Sequence, residues 1–118
     1  MPTVHPSAEI LADKRAEGVI ELECLPPNTI ILLETQVQVY EFVTRGDGEI
    51  WATGAGKRGF NRQLAEFVGS IDQHGTLFSG LIVKNHHLII KLAEGRYTTG
   101  CVQAASVQGN GYKYELWE

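Results

Sequence analysis

"TIILLETQVQVYEFVTRGDGEIWAT", Thr29 to Thr53, packs three runs of β-forming residues around two kinds of punctuation. "TIILLE" is apolar, β-branched at its start and of strand length. In "QVQVYEFVT" the residues alternate, so Val37, Val39 and Val43 share one face while Tyr40 and Phe42 share the other. Both faces are partly apolar, which predicts a strand buried on both sides or one that meets another subunit. "RGDG" at 45–48 supplies residues that tolerate positive φ, and "EIWAT" returns as the next strand. An apolar run that turns at glycine and comes back describes an antiparallel meander.

The same grammar extends in both directions. Upstream, "VIELEC" alternates, with Ile20, Leu22 and Cys24 opposite Glu21 and Glu23, before "LPPN" breaks the ladder for want of proline N–H groups. Downstream, "GAGKRGFNRQ" is the longest irregular piece, and "LAEFVGS" reads as a strand or as one helical turn ending at Gly69. "TLFSGLIVK" and "HLIIKL" are strands flanking Asn85-His86, "AEGR" leads into "YTTGCVQAASV", and "GNG" leads into "YKYELW". About eight strands with turn signals every eight to twelve residues predict a small antiparallel β-barrel or β-sandwich. Residues 1–6, with two prolines, are expected to form a flexible tail. A short helix capped by Ser7 and stopped by Gly18 is expected to open a single β domain over 7–118.

The 118 residues are 43% apolar and 20% charged, with thirteen glycines that fit many tight turns. A formal charge of −4 argues against a surface that attracts nucleic acid or anionic lipid over its whole extent. The opening residues lack a secretory pattern and no run approaches the roughly 20 apolar residues that span a bilayer. The expected location is therefore cytoplasmic, with no membrane partner. Cys24 and Cys101 are read as reduced core residues, a disulfide being the alternative in an oxidising compartment.

"VKNHHLII", 83–90, sets two histidines side by side. A two-residue loop at Asn85-His86 pairs Lys84 with His87, Val83 with Leu88, Ile82 with Ile89 and Leu81 with Ile90, every pair chemically sensible. Adjacent strand residues point to opposite faces, so His86 and His87 are weak candidates for a metal, and no metal or other cofactor is expected. "GAGKRG" fails as a phosphate loop, because Arg58 follows Lys57 where serine or threonine must hold magnesium. The loop does gather Lys57, Arg58 and Arg62 around Phe60, close to Trp51, a set able to bind single-stranded nucleic acid by charge and stacking. "RGD" at 45–47 lies in a hairpin turn and carries no adhesive expectation. Arg96 is expected to brace a turn, with Asp72 as one possible carboxylate partner.

"TQVQVYEF", "GSIDQHGTLFSGLIVKNHHLIIKL" and "RYTTGCVQAA" together resemble a family of small bacterial all-β proteins of uncharacterised function. Thr35, Tyr40, Phe42, Gly69, Ser70, Gly75, Arg96 and Thr99 carry the resemblance across roughly Ile30 to Ala105. It implies a compact β domain and brings no activity with it.

No catalytic or nucleotide-binding motif is recognisable, so an enzyme is not the first expectation. The leading one is a non-enzymatic β-barrel interaction module that self-associates through Tyr40, Phe42, Trp51 and Trp117. A nucleic-acid-binding barrel using Lys57, Arg58, Phe60 and Arg62 comes second. A barrel that binds a small molecule, or an enzyme with its pocket in the barrel mouth, comes third.

Overall fold

Alternation becomes strand from Val19 onward. The computed structural model describes residues 18–55, 60–109 and, as backbone, 112–117. The expected tail and the helix before Gly18 lie outside the described residues. Among those residues the chain is all-β: β1 (Val19–Glu21), β2 (Ile30–Glu34), β3 (Val39–Gly46), β4 (Glu49–Ala55), β5 (Phe60–Ile71), β6 (Leu77–Ser79), β7 (Leu81–Val83), β8 (His87–Leu92), β9 (Gly95–Cys101), β10 (Ala104–Gly109) and β11 (Tyr112–Trp117). No helix among them is long and apolar enough to cross a membrane.

Two antiparallel sheets result. The large one runs β11-β10-β2-β3-β4-β5-β8-β9 with β6 added beside β5, and the small one is β1 with β7. The meander expected from Thr29 to Thr53 is present, with β2 pairing β3 and β3 pairing β4. Asp47 and Gly48 make its second corner at φ 57° and 78°, the doubly left-handed geometry that matches the twist of two paired strands. "LAEFVGS" is strand rather than helical turn, forming the second half of β5.

Period-2 patterning fixes which residues share a face, and the sheet decides which face is inside. Tyr40 and Phe42 point inward with Ile31, Leu33, Ile50, Ala52, Phe67, Leu88, Ile90, Val102 and Val107, all buried. Val37, Val39 and Val43 take the outer face, Val37 being 78% and Val39 44% exposed.

Three expectations need correction. The hairpin at Asn85-His86 does not form: β7 pairs with β1 through Ile20↔Ile82, whereas β8 pairs with β5 and β9. The turn itself is there, with Asn85 at φ 66° and the His86 amide donating to Val83 O, but it joins two sheets. Strand β8 is central, and Leu88 and Ile90 bury completely between two partners, which a lone hairpin with β7 would not provide. "TLFSGLIVK" is likewise two strands, broken at Gly80, whose N–H donates to Val68 O while its carbonyl accepts from Leu22 N. "VIELEC" ends as strand at Glu21, and Leu22–Cys24 closes a 3-10 turn through Leu25 N to Leu22 O, ahead of the prolines.

One serine joins the sheets. The 80–84 segment bonds to the β1 side through Gly80 O, which accepts from Leu22 N, and Lys84 N, which donates to Gly18 O. Among the described residues, no strand pairs with its other edge. Ser70, buried on β5, fills the gap: its hydroxyl donates to Leu81 O at 2.7 Å and accepts from Val83 N at 3.0 Å. At the far end of the sheet, Val102 N donates to His86 O and Gln103 N to Glu34 O, so consecutive residues bond toward β8 and toward β2. The chain thereby carries β9 back beside the opening of the meander, with Tyr97 against Tyr40.

Candidate functional site

Cross-strand register builds the site on the outer face. Ile30 on β2 lies opposite Val43 on β3, Val43 opposite Trp51 on β4, and Trp51 opposite Leu64 on β5. Four apolar side chains thus form one row across four strands, about 15 Å wide at ordinary strand spacing. Ile30, Val43 and Trp51 are half-buried and Leu64 is 41% exposed.

Charged residues flank the row in a definite order. Two residues along β3 on one side is Glu41 and on the other is Arg45; on β5 the equivalents are Arg62 and Glu66. Strands β3 and β5 run in the same direction, since both are antiparallel to β4. Glu41 and Arg62 therefore border one side of the row, and Arg45 and Glu66 the other. Both arginines sit at register shifts, one between Thr44 and Gly46, the other opposite the step from Ala52 to Gly54. Such bulges re-aim side chains. Here each guanidinium carbon comes to 5.3 Å from the centre of the Trp51 ring. Two cations thus lie over Trp51 within cation–π range.

The residues expected to act are dispersed. Trp51 is on this face, but Tyr40 and Phe42, expected on the self-association surface, are buried in the core at 2% and 0% exposure. The Trp117 side chain, Lys57 and Arg58 lie outside the described residues. Arg62 stacks on Trp51, while Phe60 turns the other way and packs with Tyr40 and Tyr97, ring centroids 6.3 and 5.1 Å away. These rings cover Gly54, where a Cβ would stand 3.1 Å from Phe60 and 3.3 Å from Tyr40. The Tyr40 hydroxyl meets that of Tyr97 at 3.0 Å, and burial, reinforced by this hydrogen bond, pushes its phenol well above the ordinary tyrosine range.

The two histidines part company. His86 sets its ring edge-on to Phe78 and uses Nδ1 on Lys84 O at 2.9 Å. His87 instead faces Cys101, its cross-strand partner on β9, with Nε2 to Sγ 3.4 Å and Nδ1 to Thr99 O 2.8 Å. No three His, Cys, Asp or Glu side chains converge on a metal position among the described residues. Cys101 is exposed and Cys24 half-buried, both reduced, so the expectation of two core cysteines fails for Cys101. Arg96 is exposed on β9 opposite Lys91 rather than bracing Asp72. Asp72 is held by its own turn: its carboxylate accepts from the Thr76 and His74 amides at 2.9 Å, and these bonds, Thr76 first, keep it below the ordinary range.

The charge order along the apolar row and the His87–Cys101 contact were both invisible in the sequence, because each needs a register between distant strands. No protein-family model matches this chain, and no curated protein or solved structure matches it.

Proposed function

We propose that this protein is a non-enzymatic interaction module with a rolled, barrel-like sheet, and that it pairs with a second copy of itself through the row Ile30–Val43–Trp51–Leu64. The observation that carries this is the reversal of charge across the row. A two-fold axis laid along it exchanges the two borders while keeping each strand opposite its own copy. Glu41 then meets Arg45 of the other copy, and Arg62 meets Glu66, four pairs in all by symmetry. The row itself meets its own copy, burying apolar surface between faces packed about 10 Å apart. Each strand then runs antiparallel to its own copy, in the aligned class of sheet packing.

The nucleic-acid reading fits the same face less well. Glu41, Glu49 and Glu66 all border the row and would oppose a polyanion, and two arginines already lie over the Trp51 ring.

Charge reversal tests the pairing. Glu41→Arg sets Arg against Arg45 at two symmetric places and is expected to shift sedimentation toward monomer. Arg45→Glu does the same, and the double variant E41R/R45E restores the dimer. A wild-type protein that stays monomeric up to high micromolar concentration rejects the proposal, as does a double variant no more dimeric than either single. Salt-sensitive binding of single-stranded oligonucleotides in fluorescence polarisation, weakened by Arg62→Ala, would favour the rival reading instead.

A further inference from the structure

The contact between His87 and Cys101 has the parts of an activated thiol. We propose that Cys101 is a site of reversible thiol–disulfide exchange, with His87 as its proton acceptor and small disulfides as the reacting class.

The backbone creates the arrangement. His87 pairs with Cys101, yet Ile89 pairs with Thr98, so β9 carries an extra residue between these two positions. Thr99 takes up the slack: its side chain turns inward, where Oγ1 accepts from Leu88 N at 3.0 Å and donates to Gly100 O at 2.7 Å. The Thr99 carbonyl is left to meet the ring of His87 at 2.8 Å. A carbonyl only accepts, so Nδ1 carries the proton in that bond, and in the neutral ring Nε2 presents its lone pair. That lone pair faces Sγ at 3.4 Å. A sulfur nucleophile, a base in reach of it and a third group fixing the base's tautomer make the general pattern of an activated side chain.

Access and room are also present. Cys101 is exposed, and it opens on a hollow lined by Thr35, Val37, Gly100 and Gln103 as well as His87. Val37, 78% exposed at the rim, offers an apolar contact, and Thr35 and Gln103 offer polar ones. At Gly100 a Cβ would lie 3.5 Å from Thr35, so a larger residue there narrows the hollow's floor. Disulfide exchange asks for little more than an accessible sulfur and a proton acceptor.

The step balances. His87 Nε2 takes the Cys101 proton, and Sγ attacks one sulfur of the disulfide. A new S–S bond forms to Cys101 while the old one breaks, and its electron pair leaves on the second sulfur. That thiolate takes the proton back from His87 and departs as a thiol. Cys101 and one half of the disulfide end as a mixed disulfide, with no other oxidant consumed. A second thiol reverses it.

Bis(2-hydroxyethyl) disulfide, small and uncharged, is the probe. The full chain is mixed with it at neutral pH and adducts at Cys101 and Cys24 are followed by peptide mass spectrometry, with N-acetylcysteine amide as the free-thiol reference. Cys101 is expected to react about tenfold faster than the reference. His87→Gln, which can still donate to Thr99 O, is expected to remove that advantage and leave the Cys24 rate unchanged. A Cys101 rate no greater than the reference overturns the proposal on the wild type alone. An undiminished rate in a folded His87→Gln variant overturns the role of His87.

Discussion

Ser70 shows how much one hydroxyl can hold. It is buried and serves as both donor and acceptor for the edge of β7 turned away from β1, so removing it takes the partner from Leu81 O and Val83 N at a part-buried position. Ser70→Ala is expected to destabilise the fold by about 1–3 kcal/mol, the usual cost of orphaning buried polar groups. Urea unfolding measures it, and a loss under a few tenths of a kcal/mol would show that water takes the serine's place. Tyr40 makes a different statement, in pH. Its phenol keeps its proton to higher pH in the fold than in the unfolded chain, where tyrosine ionises near 10. Its stabilising contribution is therefore complete below that value and is lost as pH climbs beyond it. Tyr40→Phe should lose less stability than wild type between about pH 8 and pH 11. Equal losses in paired urea melts would contradict the burial of that hydroxyl.

At the scale of the element, the strands are ordinary and their irregularities do the placing. Gly69 lies where β6 pairs with β5, and a Cβ there would stand 2.4 Å from the Phe78 carbonyl oxygen. That is backbone and cannot step aside. Gly69→Ala should cost about 1–3 kcal/mol by overpacking. Gly75→Ala is the control: its Cβ meets nothing within 4 Å, so only the left-handed backbone at φ 83° opposes it, at about 1 kcal/mol. Thermal melts that rank the two the other way would place β6 elsewhere. Bulges on β3, β5 and β9 then decide where Arg45, Arg62 and Cys101 end up. Each candidate site in this molecule stands on a bulge, consistent with how irregular ladders redirect side chains.

For the whole molecule, local and non-local information separate cleanly. Alternation from Val19 onward, the Asp47-Gly48 corner and the meander through Thr53 were all legible, because a strand's two-residue period and a turn's need for positive φ are properties of neighbouring residues. The "VKNHHLII" hairpin fails to form for the same reason. Its local register was sensible, but Ile82, Leu88 and Ile90 bury better when β7 goes to β1 and β8 enters the large sheet. Periodicity also divided β3 into a valine set and an aromatic set without saying which faced inward. Only the assembled sheet put Tyr40 and Phe42 inside and left Trp51 in a row with Ile30, Val43 and Leu64. By itself, then, the sequence determined that this chain forms strands and placed the turns at Asp47-Gly48 and Asn85-His86, but not the break at Gly80. Tertiary structure alone decided strand partners, the inner face, the ordered charges beside Trp51 and the meeting of His87 with Cys101. Those depend on which distant segments share hydrogen bonds and buried surface, and such pairings carry no signature within either segment.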